Sequence, residues 1–167
     1  IRDPETNKIL GYEAVSLGSA VTVVPAKDGK AAELRVTKAQ HEISVGDRLM
    51  PTAKSDLLAF APHAPAPGTR GLVASIYRGV STSAAGRYSV ITVNLGKNDG
   101  LEPGHVLGIN RNRGTVVYEE DGSKEKQALP DGRIGLAFVF RVFNRISYAL
   151  VMEASDPVYV GDKIVAP

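Results

Sequence analysis

Three histidines, His41, His63 and His105, are the first residues to test for chemistry, because imidazole binds metals and moves protons near neutral pH. They stand 22 and 42 residues apart, and neither these spacings nor the carboxylates around them match a typical zinc pattern. A serine nucleophile would need an elbow of the Gly-x-Ser-x-Gly kind, and none occurs; Ser16 and Ser19 have no base nearby in sequence. Adjacent carboxylates occur as Glu119, Glu120 and Asp121, in a polar stretch too soft to hold a catalytic separation. Gly-x-Gly-x-x-Gly and Walker patterns are absent, and Gly96-Lys97-Asn98 lacks the upstream glycine of a phosphate loop. The expectation is therefore a protein that is not an enzyme and takes no metal or cofactor.

Two basic segments remain. Asn110-Arg111-Asn112-Arg113-Gly114 has two charges and no interleaved aromatics, so it reads as a solvated turn. Arg141-Val142-Phe143-Asn144-Arg145-Ile146 puts Arg141, Asn144 and Arg145 at an expected hairpin tip beside Phe143. These three are the candidate ligand-binding residues. Tyr77, Tyr88, Tyr118, Tyr148 and Tyr159 are candidate aromatic platforms for a sugar or peptide.

The elements that must position these residues follow from composition and pattern. The chain has 167 residues, 43% of them hydrophobic and 23% charged, with 17 Gly and 10 Pro. That mixture excludes disorder and points to short strands joined by tight turns. With no cysteine, disulfides and thiolate chemistry are excluded. A net charge of +2 is too small for a nucleic-acid footprint. No apolar stretch reaches the 18 or so residues that span a bilayer, so membrane insertion is not expected. Ile1 lies in an apparent turn, Arg2 to Asn7, without an initiator Met, which reads as a piece of a longer protein.

A signature recurs three times: an apolar residue, two further positions, Gly, Asp or His, then a short apolar strand. It reads Ile43-Ser44-Val45-Gly46-Asp47-Arg48-Leu49, Leu101-Glu102-Pro103-Gly104-His105-Val106-Leu107 and Val158-Tyr159-Val160-Gly161-Asp162-Lys163-Ile164. The glycines are 58 and 57 residues apart, the mark of an internal repeat. Leu34 to Asp47 aligns without a gap on Ala149 to Asp162; the middle copy needs a one-residue slip and carries an insertion after Ile109. Gly-flanked apolar segments at Leu10-Gly11, Gly71-Leu72-Val73 and Ile134-Gly135-Leu136 are read as the first strand of each copy. In each turn Gly46, Gly104 or Gly161 supplies positive φ, and Asp47, His105 or Asp162 accepts hydrogen bonds from the turn's own N–H groups. These six residues are read as structural.

The expected fold is all-β, a small barrel or sandwich of about three related β units with little or no helix. Residues 1–60 form the first unit, 61–69 a Pro/Ala-rich crossover or linker, and 70–167 the second and third units, all expected in one compact domain. Alternation over 134–142 predicts a central strand covered on both sides, with Ile134, Leu136, Phe138, Phe140 and Val142 on one face and Ala137, Val139 and Phe143 on the other. Glu119 to Gly132 reads as a long exposed hairpin loop, open to cleavage.

Several blocks together resemble the C-terminal region of bacterial envelope proteins that contain a LysM domain. They are Phe140 through Met152, Gly11-Tyr12-Glu13-Ala14, Val45 through Pro51, Pro62-His63-Ala64-Pro65 and Asp99 through Leu107. The resemblance covers nearly the whole chain. It implies an exported protein of the periplasm or cell envelope, reaching peptidoglycan through a lysin motif that these residues do not include. It implies no catalytic residues. The expected role is a non-catalytic accessory or binding module, with another envelope protein as a second candidate partner. The alternatives are a cell-wall hydrolase or its regulator, and a self-assembling β module.

Overall fold

The computed structural model describes residues 1–52, 61–77, 84–120 and 123–167. The chain divides into two compact units, Glu13–Leu57 and a larger one formed by Ile1–Tyr12 with Leu58–Pro167. The smaller unit is a hairpin of β1 (Gly18–Val24) and β2 (Glu33–Ala39) followed by the Gly46 turn. The larger unit runs through β3 (Arg70–Ile76), β4 (Ala84–Ala85), β5 (Val90–Val93), β6 (Val106–Arg111), β7 (Thr115–Glu120), β8 (Ser123–Ala128), β9 (Gly132–Val142), β10 (Ser147–Ala154), β11 (Val158–Tyr159) and β12 (Lys163–Val165). The fold is all-β, and the helix among the described residues is a single 3-10 turn, Lys97–Asp99.

Six strands close an antiparallel barrel in the order β10-β5-β3-β12-β6-β9. Its register reveals how the repeat builds it. Val165 lies opposite Gly108, and the 57-residue step from Gly104 to Gly161 also carries Gly108 to Val165, so each pairs with its own counterpart. Ala149 lies opposite Ile91, the same step lengthened by the one-residue slip. The barrel is thus two matched halves, β3-β5-β6 and β9-β10-β12, related by an internal two-fold axis.

Narrow six-stranded barrels have room for small and β-branched side chains inside. Val73, Ile91, Val93, Leu107, Ile109, Ala137, Val139, Ala149, Val151 and Ile164 fill this one, all at 0% exposure. Each contributes on the order of 1–3 kcal/mol relative to solvent exposure. The expectation that both faces of β9 are covered is corrected here. Ala137 and Val139 point inward, whereas Phe138 alternates with them and Phe140 is the extra residue of a bulge, so both lie on the outside, Phe140 at 36% exposure. The expected loop after Glu119 is corrected too. Thr115 to Glu120 pairs with Ser123 to Ala128 as a two-stranded ribbon, because Thr115, Val116, Val117 and Tyr118 are strong strand formers. Asp121 and Gly122, between its strands, lie outside the described residues.

The three signature turns share one geometry. Gly46, Gly104 and Gly161 have φ of 106°, 102° and 93°, as position i+2 of a type II turn requires. The fourth residue's N–H returns to the first residue's carbonyl in each: Asp47 to Ser44, His105 to Glu102 and Asp162 to Tyr159. The first residue's N–H donates to the fourth side chain, at 2.7 Å to Asp47 Oδ2, 3.1 Å to His105 Nδ1 and 2.8 Å to Asp162 Oδ2. The glycine that opens the first copy is Gly18, not Gly11 as the pattern suggested. A Cβ on Gly18 would lie 2.2 Å from the Lys38 carbonyl oxygen, and one on Gly135 would lie 2.2 Å from that of Glu153, its repeat counterpart. Both sit beside a bulge that skips one residue, Thr37 in β2 and Met152 in β10.

Candidate functional site

The β9–β10 hairpin carries a ridge of aromatic rings on the outside of the barrel. Alternation along β10 turns Ala149 into the core and leaves Tyr148 outward. A register shift in β9 makes Phe140 the extra residue between Val139 and Arg141, and so places a second ring on that surface. Tyr148 sits at the centre. Its ring lies 5.9 Å from Tyr77 at 67°, 6.3 Å from Phe140 at 19° and 5.6 Å from Phe143 at 89°. These separations are those of favourable aromatic pairs, worth about 0.5–1.5 kcal/mol each beyond area burial. The Arg141 guanidinium lies 5.4 Å from the Phe143 ring.

Rigid backbone holds the ridge. Ser147 Oγ donates to the Leu95 carbonyl at 2.8 Å inside the barrel, and Tyr77 N–H donates to the Val90 carbonyl at 2.9 Å. Phe143 and Phe140 remain 40% and 36% exposed. Ring faces of this kind accept the C–H face of a sugar or an apolar peptide side chain, with Arg141 at the rim for an anionic or hydroxyl group.

The structure separates the sequence candidates. Arg141 joins the ridge. Arg145 donates to the Ile9 carbonyl and serves the N-terminal arm. The Asn144 carbonyl accepts the Asn98 N–H at 3.0 Å, which ties the hairpin tip to the 3-10 turn. Of the five tyrosines, Tyr77 and Tyr148 meet at the ridge. Tyr159 lies 4.9 Å beneath Arg111, Tyr88 lies 4.7 Å from the Arg87 guanidinium, and Tyr118 bonds Gln127 on the ribbon. Arg111, read as part of a solvated turn, is an ion-pair partner: Nη2 reaches Asp162 Oδ2 at 2.6 Å and Nε reaches Oδ1 at 3.1 Å. That pair raises the Arg111 pKa further.

A second cluster has no signal in the sequence. The crossover pairs with the barrel through His63, whose N–H donates to Gly104 (3.0 Å) and whose carbonyl accepts from Val106 (2.8 Å). This brings His63 and His105 edge to face at 4.6 Å, with Glu102 beside them; one ligand-type atom from each lies within 4.8 Å of the others. The histidines set aside on spacing alone therefore come together in space.

The ring nitrogens are partly committed. His63 Nδ1 lies 2.9 Å from the Ala61 carbonyl and must donate to it, which leaves Nε2 with a lone pair. His105 Nδ1 accepts the Glu102 N–H, so its proton sits on Nε2. A cation at His105 Nε2 would have to displace that proton or cost the turn its acceptor, so this donor set does not fit a metal without rearrangement. Burial pushes the His105 pKa below its usual 6.5, the His63 ring adds to the effect, and Glu102 opposes it.

A comparison with protein-family models finds no match to this chain, and a comparison with curated proteins finds none either.

Proposed function

We propose that this chain is a non-catalytic binding module of a bacterial cell-envelope protein, with the ridge around Tyr148 as its contact surface for an envelope glycan. The observation that carries this reading is the convergence of Tyr77, Phe140, Phe143 and Tyr148 on one rigid outer face with Arg141 at its rim. The resemblance to LysM-containing envelope proteins supports the compartment, and peptidoglycan would be reached chiefly through a lysin motif outside these residues. The non-catalytic part rests on the resemblance, which implies no catalytic residues.

The test is sedimentation with purified peptidoglycan, followed by titration with soluble glycan fragments. Retention is expected, and Tyr148→Ala or Phe140→Ala is expected to weaken it about tenfold, the equivalent of one lost ring contact. Retention unchanged in both variants would move the contact off the ridge. A cleared band on a peptidoglycan zymogram would replace the reading with that of a hydrolase, built on His63, Glu102 and His105.

A further inference from the structure

The smaller unit, Glu13–Leu57, is one copy of the repeat without the second copy that closes a barrel. None of its described residues is buried. Its apolar row is nevertheless the row that fills the barrel elsewhere. At the constant 115-residue offset, Leu34, Val36, Ile43 and Leu49 correspond to Ala149, Val151, Val158 and Ile164. The four counterparts are 0% exposed, whereas Leu34, Val36, Ile43 and Leu49 are 37%, 51%, 43% and 71% exposed. The shared bulge, the shared close approach of Gly18 and Gly135, and the shared turn show that the backbone is that of a half-barrel. Among the described residues β2 pairs with β1 alone, while its counterpart β10 also pairs with β5 across the internal two-fold.

We infer that residues 13–52 close against the same residues of a second copy of this chain, reproducing between chains the two-fold barrel made within residues 70–167. The register follows from β10 and β5. Ala149 faces its own counterpart there, so Leu34 faces Leu34 of the second copy. Tyr148 faces Thr92, the counterpart of Leu150, so Glu33 faces Arg35 of the second copy and Arg35 faces its Glu33. Opposite charges thus flank the apolar centre on both sides, a self-complementary arrangement that a two-fold interface requires. Val165 faces Gly108 at its own counterpart, which places Met50, 73% exposed, against Met50 of the second copy at the other seam.

This inference stands apart from the glycan reading and has its own test. Light scattering on the full chain should give a dimer. Glu33→Arg alone and Arg35→Glu alone should each be monomeric, since each sets like charges opposite one another at both sites. Mixing the two variants should restore a dimer, because the first variant is basic at both positions and the second is acidic at both. The β-type circular dichroism of the larger unit should persist in both variants, as its core residues all lie within residues 61–167. A monomeric wild type, a dimer indifferent to Glu33→Arg, or single variants that stay apart on mixing each overturns the inference.

Discussion

At the scale of single residues, the fourth position of the signature turn decides how the barrel responds to acid. Asp47 and Asp162 offer a carboxylate to the turn's N–H, and His105 offers an imidazole nitrogen that exists as an acceptor only while the ring is neutral. The unfolded ring takes its proton near 6.5, and the folded ring takes it at lower pH because of burial and of His63. Over the window below 6.5 the unfolded chain binds more protons, so stability falls with falling pH. Thermal unfolding followed by circular dichroism should show this decline, and His105→Asp should move it down into the carboxylate range. A second residue-scale prediction concerns Asp162, 8% exposed and held bidentately by Arg111. Asp162→Ala leaves that arginine unpaired and is expected to cost about 3 kcal/mol in urea titrations. Asp162→Asn keeps an oxygen for the Tyr159 N–H and should cost about half as much.

At the scale of elements, the bulges do the positioning. A Cβ on Gly135 would meet backbone, the Glu153 carbonyl at 2.2 Å, and backbone cannot swing aside like a side chain. Gly135→Ala is expected to destabilise the barrel by about 2–3 kcal/mol, measured by chemical denaturation. The bulges also mark how far the sequence could be read. The type II turns were legible because Gly46, Gly104 and Gly161 recur at nearly equal spacing with an acceptor beside each. The outward turn of Phe140 was not, because one extra residue in β9 breaks the period of two on which the pattern depends. Gly18 is hidden from the pattern because it stands 117 residues before Gly135, whereas the offset to the third copy is 115 from Leu34 onward, so two residues differ between Gly18 and Leu34. The His63–His105 contact joins residues 42 apart by a parallel bridge, for which no local pattern exists.

At the scale of the whole molecule, the larger unit has a closed core and the smaller one has an open row. Residues 61–167 are expected to unfold cooperatively when expressed alone, with β-type circular dichroism, since the core residues all lie within them. The loss of residues 1–12 should lower their melting temperature modestly. Asp3 in that arm accepts the Asn94 side chain at 2.8 Å, and this bond, ahead of those from Thr6, draws the Asp3 pKa from 3.8 to about 2. The contribution of the Asp3 carboxylate is therefore complete above pH 3.8 and lost as pH falls towards 2.

The placement of β12 between β3 and β6 has a consequence in time. Lys163, Ile164 and Val165 are synthesised after every other strand of the barrel, yet their strand is the one that joins β3, which opens the barrel, to β6 across the seam. During synthesis β3, β5, β6, β9 and β10 can emerge and pair as a curled sheet with its interior wet and both edges bare. The final drop in free energy waits for those three residues, so closure is expected to be late and slow, as for other long-range β pairings. A nascent chain stalled before Lys163 would present that unfinished sheet to chaperones and proteases.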